Sequence, residues 1–118
     1  MKLLDTNILV ENIKKGVFET GSISIITLIE VLRGLKSEKR VRTKKLLEES
    51  FEVLSLSNEV ILKYCELYDG LKQKGMLISE ADLLIAATAI VNGKTLVTKD
   101  KDFERILDMG LMLEIRND

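Results

Sequence analysis

Leu3-Leu4-Asp5-Thr6-Asn7-Ile8-Leu9-Val10 joins an apolar pair to an apolar triplet through three polar residues. The pair suits a short buried strand, Asp5 or Thr6 suits a helix cap, and Ile8, Leu9, Val10 and Ile13 supply the apolar positions of a helix. A strand that feeds directly into a helix is the basic unit of an α/β fold, and similar units return along the chain. Gly21-Ser22-Ile23-Ser24-Ile25-Ile26 is a short β-branched strand. A helix is expected over 27–36, with Leu28, Ile29, Val31, Leu32 and Leu35 on its apolar side. A strongly charged helix follows over 39–51, its apolar positions including Val41, Leu46 and Leu47, and then a strand over 53–56.

Asn58 is read as the cap of a helix that carries Val60, Ile61, Tyr64, Leu67, Tyr68 and Leu71 at helical spacing and ends near Gly75. Ser79 starts the most apolar helix, which runs to Val91 and stops at Asn92-Gly93. Thr95-Leu96-Val97-Thr98 is a fourth strand, 103–109 a short helix closed by Gly110, and 111–115 a final strand. Short apolar strands alternating with helices imply a mostly parallel sheet buried on both faces. Paired helices after Thr27 and after Asn58 make this a modified doubly wound fold and not a strict repeat.

Composition narrows the chemistry. The 118 residues suit one domain over 1–118, and 46% hydrophobic residues can bury a core. With 4% aromatics, Leu, Ile and Val must fill that core, and the absence of Pro excludes Pro-rich linkers. There is no His, which excludes Ser-His-Asp triads, Cys-His pairs and His-containing zinc sites. The lone Cys65 excludes an internal disulfide and is read as a small apolar helix residue. No apolar run approaches the ~20 residues needed to span a bilayer, and Met1-Lys2-Leu3-Leu4-Asp5 is too short for a signal peptide. A cytoplasmic protein with no membrane partner is expected. Net charge is −1, so any nucleic-acid contact needs a local basic patch. Arg33, Lys36, Lys39, Arg40, Arg42, Lys44 and Lys45 form one against Glu38 alone, either as a phosphate-binding flank or as an ordinary solvated face.

In a parallel α/β sheet, strand ends and the following helix starts share one edge, where ligands bind. Asp5 ends the first strand and Asp100 follows the fourth, while Glu30 and Asp82 are expected in first helical turns. Each has a structural reading: Thr27-Leu28-Ile29-Glu30 and Ser79-Glu80-Ala81-Asp82 fit a capping box, Asp5 fits a cap and Asp100 a turn. Together they read differently, because clustered carboxylates repel one another unless a cation sits between them. Oxygen ligands without His or Cys suit Mg²⁺ or Mn²⁺, which can clamp a phosphodiester and activate a water.

The opening Leu3-Leu4-Asp5-Thr6-Asn7, the Glu30 of Thr27-Leu28-Ile29-Glu30-Val31-Leu32-Arg33-Gly34, the Asp82 of Ser79-Glu80-Ala81-Asp82-Leu83-Leu84-Ile85-Ala86-Ala87, and Thr98-Lys99-Asp100-Lys101-Asp102-Phe103 together resemble the PIN domain. The resemblance runs nearly end to end, and Glu30-Val31-Leu32-Arg33-Gly34 is similar to its VapC toxin branch. It implies a three-layer α/β fold with a central sheet of five parallel strands flanked by helices. It also implies an endoribonuclease in which a metal-activated water cleaves RNA, with Mg²⁺ as cofactor and Mn²⁺ as its substitute. Asp5, Glu30, Asp82 and Asp100 would be the catalytic carboxylates, and Asp5, Asp82 and Asp100 would hold the metal, with Asp102 sharing or replacing the last. Thr6, Asn7 and Thr98 would orient carboxylates or metal-bound waters. Arg33, Lys99 and Lys101 are the candidate RNA contacts, Arg33 having the alternative of pairing with Glu30. The partners implied are an RNA substrate, a small VapB-type antitoxin and a second copy of the chain. Two competing readings are a PIN-like module that binds RNA or protein without cutting, and a receiver-type phosphoacceptor domain. The receiver reading lacks support, because Asp5 is followed by Thr6-Asn7 and Leu54-Ser55-Leu56-Ser57 holds no acid.

Overall fold

The computed structural model describes residues 1–117. β1 (Lys2–Leu4) passes into α1 (Thr6–Lys15) across Asp5 alone, which keeps extended backbone and accepts a hydrogen bond from Thr6 N. β2 (Ser22–Ser24) runs directly into α2 (Ile25–Arg33), followed by α3 (Ser37–Ser50), β3 (Glu52–Leu54), α4 (Asn58–Gln73) and α5 (Glu80–Val91). β4 (Thr95–Thr98), a 3-10 helix over Lys101–Met109 and β5 (Met112–Ile115) complete the chain. The strands form one parallel sheet in the order β3-β2-β1-β4-β5. The α/β class and the five parallel strands are as the sequence implied. The chain starts in the middle of the sheet, fills one side, then returns to fill the other, so the switch point lies between β1 and β4.

Alternation along the strands divides the core in two. Leu3 and Leu96 are paired in register and face α4, α5 and the 3-10 helix, packing with Val60, Leu67, Leu83, Ile85, Phe103 and Ile106. One residue on, Leu4 and Val97 are again in register and turn to the other face, joining Ile23, Ile8, Leu9, Leu28 and Leu47 of the α1–α3 layer. These layers explain why the strands lack polar alternation: both faces are covered.

Several boundaries differ from the sequence reading. Ser24, not Thr27, caps α2, its Oγ accepting from Ile26 N at 3.0 Å, so the helix begins earlier than expected. The β-branched Ile25 and Ile26 are helical because each packs against one of the two cores, and burial outweighs strand propensity. Glu30 consequently lies in the second turn of α2. Ser57, not Asn58, caps α4, accepting from Val60 N at 3.2 Å. α2 stops at Gly34, where Arg40 Nε donates to the carbonyls of Leu32 and Leu35, so part of the basic run satisfies a helix end. α3 buries Leu47 only, leaving Val41 82% and Leu46 59% exposed, and Cys65 is an exposed residue of α4, not a packed one. Among the described residues no helix is long and apolar enough to cross a membrane.

A polar clasp ties the segment after β5 to the loop between α1 and β2. The Arg116 guanidinium, just after β5, donates from Nη1 and Nη2 to Glu19 Oε1 and Oε2 at 2.8 and 2.6 Å, and from Nε to Glu114. Asn12 and Lys2 also donate to Glu19. Hydrogen bonding from Arg116, against a smaller cost of burial, holds the Glu19 carboxyl down at about 2. A carboxyl held below its ordinary value supports the fold above pH 4.5, and that support is withdrawn as the pH falls toward 2. Glu19→Gln is expected to lower the urea midpoint at neutral pH, with the gap to wild type closing by pH 2; a gap constant with pH would remove the clasp from the stability of the fold. Leu96→Ala, at the fully buried centre of the sheet, is expected to cost about 2–5 kcal/mol. Equilibrium urea unfolding checks this, and a loss within error of zero would contradict the packing described.

Candidate active site

Asp5 is only 4% exposed, an unusual position for a carboxylate that forms no ion pair among the described residues. Its burial follows from the topology, since it sits where β1 becomes α1, beside the end of β4, with its backbone N–H donating to Val97 O at 2.9 Å. Two hydrogen bonds hold its side chain: Thr6 N donates to Oδ1 at 2.8 Å and Thr98 Oγ1 donates to Oδ2 at 2.7 Å. Burial pushes the Asp5 carboxyl up, those bonds partly oppose it, and the charges of Glu30 and Asp100 push it further.

The wholly buried Thr98 does two jobs. It donates to Asp5 and accepts from Asp100 N at 3.0 Å, which fixes the loop after β4 against the end of β1. Asp100 then caps the 3-10 helix, its Oδ1 accepting from Asp102 N at 2.8 Å. Asp82 stands in the first turn of α5, whose cap Ser79 accepts from Asp82 N at 3.2 Å. Burial chiefly raises Asp82 to about 6, with a lowering contribution from Ser79 and further raising by the charges of Asp5, Asp100 and Glu30. Glu30 reaches in from α2 and accepts from Thr6 Oγ1 at 2.6 Å.

Asp5, Glu30, Asp82 and Asp100 thus come from four different segments, the end of β1, the second turn of α2, the first turn of α5 and the loop after β4, to within electrostatic reach at the switch point. Asp102 turns elsewhere: its Oδ1 lies 3.5 Å from Arg105 Nη2, one turn along. Among the described residues no three acidic or cysteine side chains are grouped so as to hold one ion unaided. Asn7 is exposed beside Thr6, Lys101 is exposed at the start of the 3-10 helix, and Arg33 is exposed at the end of α2. Lys99 pairs with Glu11 of α1. Glu30 accepts from Thr6, and among the described residues Arg33 and Glu30 form no ion pair.

The sequence reading missed Thr27, which it took for a cap. Its side chain is wholly buried and its Oγ1 lies 2.9 Å from Thr6 Oγ1. The available signal was the spacing of Thr27 and Glu30, three apart and therefore on one helical face. Beside the acidic edge, α1, α2 and α3 enclose an apolar cleft of about 640 Å³, lined by Val10, Ile13, Val17, Phe18, Leu46 and Phe51 among others, with Glu30 also in its lining. The Phe18 and Phe51 rings lie 5.7 Å apart there.

A doubly wound sheet with carboxylates gathered at its switch point places the chain among acidic-site α/β proteins. The family model described as the PIN domain matches residues 2–108. The chain belongs to the PIN domain family. Among its relatives, ribonuclease VapC1 of Methanocaldococcus jannaschii is 39% identical, covering 94% of this chain and 85% of its own. Ribonuclease VapC2 of Rickettsia felis is 36% identical, with 92% and 94% covered. Of solved structures, VapBC2 from Rickettsia felis bound to a promoter DNA fragment superposes with a TM-score of 0.82 at 33% identity, covering 98% of each chain. VapBC-1 from nontypeable Haemophilus influenzae gives 0.82 at 28% identity, with 97% and 96% covered.

The raised Asp82 carboxyl has a consequence for stability. Above pH 6 the metal-free fold carries an ionised group it disfavours, and protonation between pH 6 and 3.8 relieves that cost. Asp82→Asn is expected to melt a few degrees above wild type in EDTA at pH 7.5, the difference shrinking by pH 4.5. Calorimetry at both pH values decides it, and a variant less stable than wild type at pH 7.5 would contradict the electrostatic account.

Proposed function

We propose that this chain is a Mg²⁺-dependent endoribonuclease and the toxin of a toxin–antitoxin pair. The convergence of Asp5, Glu30, Asp82 and Asp100 carries the reading, supported by relatives named ribonuclease VapC. Two of these acids are pushed up by burial and by one another, the condition that a bound cation relieves. The donor set is oxygen only, and Mg²⁺ characteristically binds through one or two carboxylates while retaining waters. That habit suits a site whose acids form no closed cage. Mn²⁺ is the natural substitute.

In this reading Asp5, Asp82 and Asp100 hold the cation, and Glu30 completes the acidic set. Asp100 takes the fourth position in preference to Asp102, whose carboxylate is directed at Arg105. When bound, the cation would activate a water and neutralise charge on the leaving oxygen of a phosphodiester. Thr98 holds Asp5 and the Asp100 loop in fixed relation, and Thr6 holds Glu30. Asn7 stands exposed beside them, available to a water or to substrate. Exposed Lys101 and Arg33 meet RNA phosphates, with Lys99 nearby under the hold of Glu11.

The solved neighbours are VapBC complexes, and a small antitoxin partner belongs to the same proposal. The apolar cleft between α1, α2 and α3 is where its apolar residues would dock, since Glu30 lines that cleft and an occupant would reach the acidic edge. Assembly of two copies, expected from the resemblance, completes the reading.

Purified protein incubated with labelled transfer RNA, ribosomal RNA fragments and total RNA is expected to cut in Mg²⁺ or Mn²⁺, and to stop in EDTA. Asp82→Asn, which keeps its backbone cap, is expected to lose at least about 100-fold in rate. Folded, metal-binding protein that cuts none of these RNAs would transfer the reading to a non-cutting RNA or protein binder. Cleavage surviving both EDTA and the substitution would refute the acidic-site mechanism.

A further inference from the structure

Thr27 has no part in capping α2, yet its hydroxyl is wholly buried and engaged. Its Oγ1 lies 2.9 Å from Thr6 Oγ1, which lies 2.6 Å from Glu30 Oε1. Proton counting sets the direction of both bonds. A threonine hydroxyl carries one proton, and a carboxylate only accepts. Thr6 therefore directs its proton to Glu30 and accepts from Thr27. The chain runs from Thr27 on α2, across to Thr6 in the first turn of α1, and back to Glu30 on α2.

We infer that Thr27 is a positioning residue for the acidic site: by donating to Thr6 it locks that hydroxyl toward Glu30 and holds Glu30 at the carboxylate edge. This rests on the ribonuclease reading above. Glu30 needs such a hold. It is only partly buried, it carries a long side chain, and the charges of Asp5 and Asp82 repel it toward solvent. Among the described residues its side chain accepts a hydrogen bond from Thr6 alone. A hydroxyl rotor that could point elsewhere holds nothing in place, and the buried donor behind it removes that freedom. The interior setting strengthens such a chain, because no water competes for Thr27. Thr98 supplies the matching case on the opposite side, where one buried hydroxyl also joins a carboxylate to a second element. Thr27 touches neither substrate nor cation and acts only through Thr6.

The test compares the full chain with Thr27→Val, Thr27→Ser, Glu30→Gln and the Thr27→Val/Glu30→Gln double variant, with Thr27→Ala replacing the valine if that variant does not fold. Cleavage of labelled transfer RNA in Mn²⁺ is followed for kcat and KM, beside urea unfolding. Thr27→Val is expected to lower kcat about 10–100-fold with KM unchanged, and Thr27→Ser to restore it. In the Glu30→Gln background the valine is expected to add no further loss. A valine variant with wild-type kcat, a serine variant as impaired as the valine, or full multiplication of the two losses would overturn the inference. If wild type cuts no RNA, the ribonuclease reading fails by itself, and unfolding then judges the chain of hydroxyls. A midpoint lowered more by Thr27→Val in wild type than beside Glu30→Ala, which removes the acceptor that glutamine would keep, supports it, and equal lowering in both backgrounds overturns it.

Discussion

A carboxylate almost out of reach of water, Asp5, stands where the first strand becomes the first helix. Desolvation disfavours its charge, and the protein answers with a backbone N–H and a buried hydroxyl, not with a counter-charge. That answer constrains much else. Thr98 must end β4 beside Asp5, which requires β4 to pair with β1 in the observed register. The same hydroxyl accepts from Asp100 N, so the loop after β4 is set by the needs of a residue at the other end of the chain.

The sheet order makes this economical. Because β1 is central, its C-terminal end lies at the switch point, where α1 and the loop after β4 diverge to opposite sides. The helices that open at this edge carry acids toward it, Asp82 from the first turn of α5 and Glu30 from the second turn of α2, and both come within electrostatic reach of Asp5. The two cores keep the arrangement rigid. One is shared by β1, β4, α4, α5 and the 3-10 helix, the other by β1, β2, β4 and the α1–α3 layer. Electrostatic strain at the edge is thus carried by apolar packing on both faces of the same strands.

Threonine has an unexpected share in this structure. Thr6, Thr27 and Thr98 place hydroxyls between carboxylates and neighbouring elements, and two of the three are wholly buried. A hydroxyl can donate and accept at once, so it joins an acid to a second group without adding charge. A lysine in the same place would neutralise the pocket that the acids create.

The sequence by itself determined the fold class and the acidic character of the site. Apolar strands without polar alternation imply a sheet covered on both faces, and Asp5, Glu30, Asp82 and Asp100 beside strand ends and helix starts imply an acidic edge. Helix starts were less legible, because Thr27-Leu28-Ile29-Glu30 fits a capping box and β-branched Ile25 and Ile26 point to strand. Only the two cores, each taking one of those isoleucines, turned them into helix and moved the cap to Ser24. Tertiary structure also separated Asp100 from Asp102. The two are equivalent by composition, but a 3-10 turn directs one at Arg105 and leaves the other within reach of Asp5 and Asp82. The exposed face of α3 and the hydroxyl chain from Thr27 were likewise decided in three dimensions, since hydrophobic pattern and spacing specify a residue's face but not what packs against it.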